Sequence, residues 1–483
     1  MTLKPYLAFL LAAALAVSCG QPSRRRVECL GVLETSAKLT TVQTTSGPVA
    51  GYVDDGVFIY KGIPYGKADR FLPPTDPDPW KEVRPSRAYG PVAPHPERTG
   101  WLDDNQAFAM HWDDGYPGED CLRVNVWTSS IKTGAKLPVM VWLHGGGFSE
   151  GSSQEQIGYD GTNLARDHGV VAVSLNHRLN ALGYLDLSAF GAKYAASGNV
   201  GMLDIVKALE WVRDNIAAFG GDPGNVTIFG QSGGGKVTTV MAMPAATGLF
   251  HKAIVQSGSI FNLMTPQYSR RIGAATVANL GITPSRLEEL DTVPYEKLLA
   301  AYRKAVQQVT EEARQDGNFP TNFLDMIIYG QLPVVDGEVI PFQPSSPEAL
   351  ALSKDVPTII GTVYNEFTPD SEDPIFRPLA LQQAQDRTAS GCAPVYLYLF
   401  TWKTPVLDGV LGSTHCLEIP FVFDNVLLHR TFTGGGADAV ELGHRMSRAW
   451  TQFAKTGVPS AEGLPEWKAY PANMVFDIVS KIQ

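Results

Sequence analysis

The feature that most constrains this chain is a serine placed between glycines directly after a buried strand. Residues 226–229 form a short apolar run, and the sequence G-Q-S-G-G follows at residues 230–234. A helix is expected to begin near Gly233. A serine in G-x-S-x-G between a strand and a helix occupies a sharp, strained turn whose neighbours must lack side chains. The pattern predicts that the Ser232 hydroxyl projects above a sheet, with a helix N-terminus directed at developing negative charge.

Strand and helix signals alternate from about Leu39 onward, which predicts an α/β architecture. Further strands are predicted at residues 137–143, 170–175, 253–256, 358–361 and 395–400. Apolar residues at helical spacing predict a helix over residues 202–216, ending before the turn residues Gly-Gly-Asp-Pro at 220–223. Residues 268–313 are expected to be helical and to form a cap or side region, and residues 437–455 a late helix.

The N-terminus predicts an export signal at residues 1–19. Lys4 precedes an apolar run at residues 6–17 that is too short to span a bilayer comfortably, and small residues then lead to Cys19. The pattern resembles the lipobox of bacterial lipoproteins, in which the cysteine carries the lipid anchor. Plain secretion and an uncleaved anchor are the alternatives. We expect an exported protein, periplasmic or anchored to the outer membrane or otherwise secreted, with a tether at residues 20–38 and one domain at 39–483.

Charge and cysteine content narrow the possible partners. A net charge of -10 argues against nucleic-acid binding, which needs a basic face. If Cys19 carries lipid, four cysteines remain, and the sequence cannot choose among their three possible pairings. Those four are Cys29, Cys121, Cys392 and Cys416. No spacing resembles a zinc site, and the acyl transfer described below requires neither a metal nor an organic cofactor. The oligomeric state stays open.

The serine segment also comes close to a second motif. Residues 230–236 fit G-x-x-x-x-G-K, the phosphate-binding loop that likewise joins a strand to a helix. That loop needs serine or threonine after the lysine to hold magnesium. This chain has Val237 there, and Thr238 comes one residue late. A nucleotide-binding protein is therefore the weaker interpretation.

A glycine run provides the second chemical feature. His144-Gly145-Gly146-Gly147 follows directly after the predicted strand at residues 137–143. Consecutive glycine amides can turn inward and donate hydrogen bonds to the oxyanion that forms during acyl transfer. A glycine run alone is usually a flexible loop, but H-G-G-G upstream of G-x-S-x-G is typical of lipases and esterases.

A nucleophilic serine needs a base and an acid, in the chain order serine, carboxylate, histidine. The downstream histidines are His251, His415, His429 and His444. His415 lies in a loop of small residues after the strand at 395–400, from which a base can reach over the sheet. The carboxylates after the strand at 358–361 are Glu366, Asp370, Glu372 and Asp373. Glu366 comes first in the loop, but position alone does not choose among the four.

The chain resembles the type-B carboxylesterases, the family of cholinesterases and bacterial para-nitrobenzyl esterases, from about residue 42 to residue 477. F-I-Y-K-G-I-P-Y at residues 58–65 is similar to an early segment of that family, and E-D-C-L at 119–122 to its E-D-C-L signature. Residues 199–223 resemble the long helix and turn that precede the serine motif. The resemblance implies an α/β-hydrolase fold, with a large, mostly parallel sheet and helices on both faces.

The resemblance also implies roles for individual residues. Ser232 would be the nucleophile, His415 the general base and then acid, and Glu366 the carboxylate that orients it. The oxyanion hole would consist of the amides of Gly146, Gly147 and Gly233. Glu418 would support the histidine loop. The implied activity is hydrolysis of a small carboxylic ester through an acyl-enzyme, and the alternative is an esterase-like binding or adhesion protein without activity.

Two departures from the family pattern lead to further expectations. Ala93 stands where many relatives have the cysteine that pairs with Cys121, which predicts that Cys121 is free. The segment from Glu366 to His415 is shorter than is typical, and a helix that walls the site in relatives is not expected after about Pro374. We therefore expect a more open cleft.

Overall fold

The computed structural model describes residues 31–95, 103–317, 330–368 and 371–483. The predicted export signal with Cys19, the first part of the predicted tether with Cys29, and Asp370 lie outside the described residues. Glu34, near the end of the predicted tether, pairs through its backbone with Val53.

The strands form one large and one small sheet. Their bounds are β1 (Thr41–Gln43), β2 (Pro48–Ala50), β3 (Tyr52–Asp54), β4 (Val57–Pro64), β5 (Arg84–Pro85), β6 (Arg123–Thr128), β7 (Leu137–Trp142), β8 (Val171–Leu175), β9 (Gly221–Gln231), β10 (Lys252–Gln256), β11 (Thr358–Val363), β12 (Val395–Phe400), β13 (Asn473–Phe476) and β14 (Lys481–Ile482). The large sheet has the order β14-β13-β12-β11-β10-β9-β7-β8-β6-β4-β3, and β1, β2 and β5 form the small one. Six of the ten strand pairs in the large sheet are parallel, as predicted.

Helices surround the large sheet. The α-helices are α1 (Ala37–Thr40), α2 (Asp104–Met110), α3 (Thr162–His168), α4 (Asn180–Tyr184), α5 (Val200–Asn215), α6 (Gly234–Met241), α7 (Pro266–Asn279), α8 (Tyr295–Gln315), α9 (Pro347–Leu352), α10 (Phe376–Ala389), α11 (Ile419–Val422), α12 (Arg430–Thr433) and α13 (Ala437–Thr456). Short 3₁₀ helices lie at Ile157–Tyr159, Ser188–Phe190, Ala192–Tyr194, Ser197–Asn199, Ile216–Phe219, Pro244–Ala246, Pro284–Thr292 and Val406–Gly409.

The apolar runs seen in the sequence are strands covered on both faces. In β7, Val139 and Val141 belong to one buried hydrophobic cluster, and Met140 and Trp142 belong to another. Alternate side chains of a strand point to opposite faces, so the two clusters are the cores on the two sides of the sheet. This double burial explains why these strands are apolar throughout rather than alternating.

Two predicted segments differ in detail from the structure. The strand expected at residues 226–229 begins at Gly221, because Leu137 pairs with Gly221 and Val139 with Val226, so that residues 222–225 bulge between the pairs. The segment 268–313 contains α7, a 3₁₀ helix at Pro284–Thr292 and α8. Proline favours the first turn of a helix and disrupts its interior, which accounts for the division.

Three further observations concern absences within the described residues. Cys121, Cys392 and Cys416 are free thiols, which confirms the prediction for Cys121. In the described ranges, no cluster of three or more His, Cys, Asp and Glu side chains has an arrangement that could hold a metal ion. None of the helices in those ranges is long and apolar enough to cross a membrane.

Candidate active site

Ser232 lies at the junction of β9 and α6, in the turn that the sequence predicts. Its φ angle is +53°, a left-handed conformation that costs a non-glycine residue about 1–3 kcal/mol. A Cβ on Gly230 would come within 2.4 Å of the Leu143 carbonyl oxygen, so only glycine fits there. The Ser232 amide donates to the Gln256 carbonyl of the neighbouring strand at 2.8 Å, which fixes the turn against the sheet.

The Ser232 side chain is half-buried, and its hydroxyl makes no hydrogen bond with a described residue. The first turn of α6 begins just beyond it, where the Lys236 amide donates to the Gly233 carbonyl at 2.9 Å. The hydroxyl is therefore placed at the start of a helix without being fixed by a partner. Catalytic hydrogen bonds are often longer in a free enzyme than in its substrate complex.

The loop after β7, residues 143–151 and here called the glycine loop, packs directly against Ser232. A Cβ on Gly145 would lie 3.1 Å from Ser232 Cβ. Gly146 has a φ angle of +89°, and a Cβ there would come within 2.0 Å of the Glu150 carbonyl oxygen, so the residue must be glycine. Among the described residues, the amides of Gly146 and Gly147 have no hydrogen-bond acceptor. The Gly233 amide differs, because it contacts the Gln231 carbonyl oxygen.

His415 and Glu366 form a buried pair beside this turn. His415 Nδ1 is hydrogen-bonded to Glu366 Oε2. The other carboxylate oxygen accepts a hydrogen bond from Ser257 Oγ at 2.6 Å and one from the Val363 amide at 3.1 Å. A carboxylate at Nδ1 selects the tautomer with its proton on that nitrogen, which leaves Nε2 able to accept a proton.

The two loops that bear this pair are joined by hydrogen bonds. Glu366 and Thr414 form a parallel bridge, and the His415 amide donates to the Glu366 carbonyl at 3.1 Å. The Ser413 amide donates to Asn365 Oδ1 at 2.8 Å, and Ser413 Oγ donates to the last carbonyl of β12 at 2.9 Å. These bonds connect two segments that lie far apart in the chain and fix His415 relative to Glu366.

Aromatic rings cover the imidazole of His415. The ring centroid of Phe367 lies 4.5 Å from that of His415, and the centroid of Phe376 lies at 5.4 Å. Phe376 is buried at the start of α10, whereas Phe367 is 45% exposed. The helix α10 begins at Phe376, two residues after Pro374, and contributes a ring to the site, so a helix lines the site here, contrary to the expectation from the sequence. The two rings keep water from one face of the base.

Gln231, the residue before Ser232, contacts the loop that bears His415. Its Nε2 lies 3.3 Å from His415 Nδ1, and its Oε1 accepts a hydrogen bond from Cys416 Sγ at 3.0 Å. Because Nδ1 donates its proton to Glu366, the first of these is a close approach rather than a second hydrogen bond. The residue before Ser232 therefore contacts both His415 and Cys416.

Glu418 is buried beneath the site. Its Oε1 accepts hydrogen bonds from Gln256 Nε2 at 3.2 Å and from the Tyr398 hydroxyl at 3.4 Å. Burial, with the nearby charge of Glu366, raises the pKa of Glu418 to about 7. These bonds join Glu418 to β10 and β12 rather than to the histidine loop. Its predicted support of that loop stays a prediction.

The other candidate bases have different partners. His251 Nδ1 accepts a hydrogen bond from the Val226 amide at 3.1 Å, and buried His429 bonds to the Met110 carbonyl through Nε2 at 3.0 Å. His444 lies on α13, as expected of a late helix, and contacts Asp424 at 2.8 Å. None of these contacts leads to Ser232.

Asp373 acts as a helix cap. Its two carboxylate oxygens accept hydrogen bonds from the amides of Ile375 at 2.9 Å, Phe376 at 2.6 Å and Arg377 at 2.8 Å. Burial, with the charge of Glu366, raises the pKa of Asp373 to about 6. The carboxylate thus satisfies the first amides of α10 and is not directed at the imidazole.

Sequence reasoning missed Ser257, Gln231 and Lys236. Ser257 follows the buried strand β10, and a small polar residue at the carboxyl end of a parallel strand is a signal that could have identified it. Lys236 was considered only as part of a phosphate loop. Its Nζ donates to the carbonyl oxygens of His144 at 2.7 Å and Gly145 at 2.6 Å, and its side chain is 1% exposed. The lysine is therefore not available to a phosphate.

A cavity of about 220 Å³ lies beside the glycine loop. Ser149 and Glu150 line it from the loop, and Leu299, Tyr302 and Arg303 line it from α8. The predicted side region thus borders the site.

Comparison with known proteins identifies close relatives. The model of the carboxylesterase family matches residues 38–375 and 370–481. The chain is 37% identical over 477 residues to the para-nitrobenzyl esterase of Bacillus subtilis (strain 168), covering 89% of this chain and 92% of that protein. It is 30% identical over 479 residues to the phenmedipham hydrolase of Pseudarthrobacter oxydans, again covering 89% and 92%.

The solved structures to which the chain is similar are also esterases. An esterase from Clostridium hathewayi that can hydrolyse aliphatic aromatic polyesters has a TM-score of 0.81 at 33% identity, covering 92% of this chain and 95% of that one. A para-nitrobenzyl esterase has a TM-score of 0.77 at 33% identity, covering 92% and 97%. These neighbours are esterases of the α/β-hydrolase fold, which confirms the predicted fold class.

Proposed function

The chain belongs to the carboxylesterase family and is a carboxylic ester hydrolase, and on that premise we propose that it acts through an acyl-enzyme on Ser232 with a Ser-His-Glu triad. The observation that carries the proposal is the buried hydrogen bond between His415 Nδ1 and Glu366 Oε2, with Gln231, the residue before Ser232, 3.3 Å from the same His415 nitrogen. A histidine that only supports the fold needs neither a buried carboxylate partner nor a strained serine nearby, whereas His415 has both.

In the first half of the reaction, Ser232 Oγ attacks the ester carbonyl carbon and His415 Nε2 takes the hydroxyl proton. The carbonyl oxygen becomes an oxyanion that accepts hydrogen bonds from the amides of Gly146 and Gly147. Glu366 stabilises the imidazolium. The oxyanion then collapses, and His415 gives its proton to the leaving alcohol, so that the acyl group remains on Ser232.

In the second half, water replaces the alcohol. His415 takes one of its protons while its oxygen attacks the acyl-enzyme, and the same amides hold the second oxyanion. Collapse releases the carboxylic acid, and the proton returns to Ser232 Oγ. The Gly233 amide would join the hole when substrate displaces its contact with the Gln231 carbonyl.

The first experiment measures hydrolysis of para-nitrophenyl acetate, butyrate and octanoate by wild type and Ser232→Ala. We expect kcat to fall by about 10⁴-fold or more in the variant, because residual catalysis without the nucleophile is small. Ser447→Ala is the matched control, since it removes a buried serine hydroxyl on α13 that donates to the Phe421 carbonyl at 2.7 Å. Wild-type activity that survives in Ser232→Ala would overturn the proposal.

Labelling by a serine-reactive phosphonate separates a wrong substrate from a wrong mechanism. If no para-nitrophenyl ester is hydrolysed but the phosphonate attaches to Ser232, the mechanism stands and the ester was poorly chosen. If neither turnover nor label is found, the acyl-enzyme proposal fails and the inactive binding protein becomes the better interpretation.

We propose esters of moderate size as substrates, bound in an open cleft. The relative from Clostridium hathewayi can hydrolyse aliphatic aromatic polyesters, which a narrow closed pocket would not admit. Exposed Phe367 beside the base supplies an apolar surface at the site entrance. The rate is expected to change little from acetate to octanoate, and a steep fall beyond butyrate counts against the open cleft.

We also propose that the protein is exported and anchored through lipid on Cys19. The support is the sequence pattern of Lys4, the apolar run at residues 6–17 and the small residues before the cysteine. In a bacterial host, wild type should be found in the membrane fraction and Cys19→Ser should leave it. Equal release of both proteins favours plain secretion.

A further inference from the structure

Lys236 is buried where a charged side chain is expected to destabilise the fold. It is an ionisable side chain, 1% exposed, in the first turn of α6. A buried ammonium loses its hydration, and the positive end of the helix dipole adds repulsion. An apolar residue there would cost less, so the contacts of Lys236 need a reason other than stability.

The contacts of the ammonium point to one loop. Nζ donates to the carbonyl oxygens of His144 at 2.7 Å and Gly145 at 2.6 Å, and it lies 5.7 Å from the ring centroid of Phe148. All three residues belong to the glycine loop. The lysine thus holds that loop by its carbonyl oxygens, and the Gly146 N–H points the other way because a trans peptide bond opposes it to the Gly145 carbonyl.

The peptide bond gives this arrangement a chemical consequence. The carbonyl carbon of Gly145 is bonded to the nitrogen of Gly146, so one planar group carries the lysine contact on its oxygen and the oxyanion donor on its nitrogen. A cation at the oxygen draws electron density from the N–H group and makes it a stronger donor. The same contact fixes the direction in which that N–H points.

The surroundings of Lys236 contain one carboxylate and two imidazoles. A Cβ on Gly151 would lie 2.9 Å from the Gly145 carbonyl oxygen, 2.8 Å from Glu155 Oε2 and 2.7 Å from His144 Nδ1, so these groups meet at one point. Burial lowers the pKa of Lys236, and the charge of Glu155 acts against that. Burial and the charge of Lys236 lower the pKa of both His144 and His177, which are therefore neutral.

We propose that Lys236 is a positioning residue of the oxyanion hole, holding the His144 and Gly145 carbonyls so that the Gly146 amide is oriented and polarised towards the oxyanion. This role rests on the proposed acyl-enzyme mechanism and deepens it. Glu155 is the counter-ion, and it is itself fixed by the Ser152 amide at 2.6 Å and the Tyr159 hydroxyl at 2.8 Å. Glu155 thus acts on Lys236 through its charge, from the segment that follows the glycine loop.

Lys236→Met keeps the length of the side chain and removes its charge and its donors. We expect kcat to fall about 100-fold, the size expected for loss of one oxyanion-hole donor, with KM within about threefold of wild type. Affinity for a trifluoromethyl ketone, whose adduct with Ser232 carries an oxyanion, should fall in parallel. Thr239→Val is the matched control, because it removes a buried hydrogen bond of the same helix, 2.8 Å long, to the Gly235 carbonyl.

The double variant Lys236→Met/Glu155→Gln separates catalysis from stability. Removing both buried charges often restores stability, so its unfolding midpoint should return towards that of wild type even if the single variant is unstable. We expect kcat to remain about 100-fold low in the double variant. Recovery of kcat together with stability would overturn the proposal, as would a loss confined to KM or a kcat within twofold of the Thr239→Val control.

The same assay distinguishes failure of the inference from failure of the proposed function. Wild-type turnover that disappears in Ser232→Ala supports the acyl-enzyme mechanism independently of Lys236. With that established, unchanged kcat and unchanged ketone affinity in Lys236→Met contradict only the role of the lysine.

Discussion

The two halves of the site are built in different ways. The nucleophile half, consisting of the glycine loop and the turn between β9 and α6, is shaped by backbone: Ser232 has a φ angle of +53°, and Gly230 and Gly146 leave no room for a Cβ. The acid–base half, consisting of the loops after β11 and β12, is shaped by side chains, with Glu366 and His415 paired and covered by rings.

The difference indicates which kind of change each half tolerates. A backbone-built half depends on close approach, so adding an atom should damage folding before it damages chemistry. A side-chain-built half depends on particular hydrogen bonds, so exchanging one atom should damage chemistry while the fold survives. Lys236 is the exception, because a side chain there supports a backbone-built loop.

The largest expected effect is that of Glu366→Gln in the acid–base half. A neutral amide cannot stabilise the imidazolium and favours the wrong tautomer, so kcat should fall about 10³–10⁴-fold while the unfolding midpoint changes little. Glu372→Gln, an exposed carboxylate in the same loop, is the control. If Glu366→Gln remains close to wild type, the acid is another residue, and Asp370 is the next to test.

The second prediction concerns the nucleophile half. Gly230→Ala places a Cβ 2.4 Å from the Leu143 carbonyl oxygen, which should cost about 1–3 kcal/mol of unfolding free energy. Gly235→Ala, within α6, is the control, since its Cβ would make ordinary contacts, 3.4 Å from the Ile260 side chain and 3.7 Å from the Gly258 carbonyl oxygen. Thermal unfolding measures both variants. A Gly230→Ala protein of normal stability would mean that the turn is not sterically closed.

The third prediction uses the buried carboxyl of Glu418 beneath the acid–base half. Its pKa is raised from 4.5 to about 7, so the folded state binds the proton more tightly than the unfolded state does. Stability should therefore fall as pH rises from about 4.5 to about 7. Glu418→Gln removes this fall, and its stability relative to wild type should improve by about 3 kcal/mol across that range. Glu338→Gln, at an exposed carboxylate, is the control.

The smallest expected effect is that of Ser257→Ala. Glu366 would lose the hydrogen bond from Ser257 Oγ but keep His415 and the Val363 amide. We expect kcat/KM to fall about tenfold, which corresponds to one hydrogen bond to a charged group. Ser259→Ala, which removes a buried hydrogen bond to Gln383 at 2.6 Å, should leave the rate near wild type. A loss equal in both variants would point to general loosening after β10.

The same contrast explains what the sequence could predict. The turn at Ser232 follows from five consecutive residues between a strand and a helix, so its geometry is local and could be predicted. Glu366 and His415 are separated by 49 residues, and only the joined loops bring them together. Position in the sequence alone left four carboxylates after β11 as candidates for the acid. Asp373 proves to cap α10, and this depends on where that helix begins.

The features that could not be predicted from the sequence depend on the direction of side chains. Lys236 matches the phosphate-loop motif in residue type and spacing, but its side chain points beneath the glycine loop. Sequence does not contain that direction, because it depends on how α6 packs against the loop after β7.

Strand positions were predicted closely, since burial on both faces leaves a strong apolar signal: β12 covers residues 395–400 as expected, and β10 begins one residue early.

The outer strands of the large sheet have a consequence for behaviour at high local concentration. An unpaired strand edge is a template on which another chain can add, which is one route to aggregation. Here the edges are β14, with two residues that include Lys481, and β3, with three residues whose central Val53 already pairs with Glu34. So large a sheet therefore presents very little edge, and crowded copies should resist edge-to-edge association.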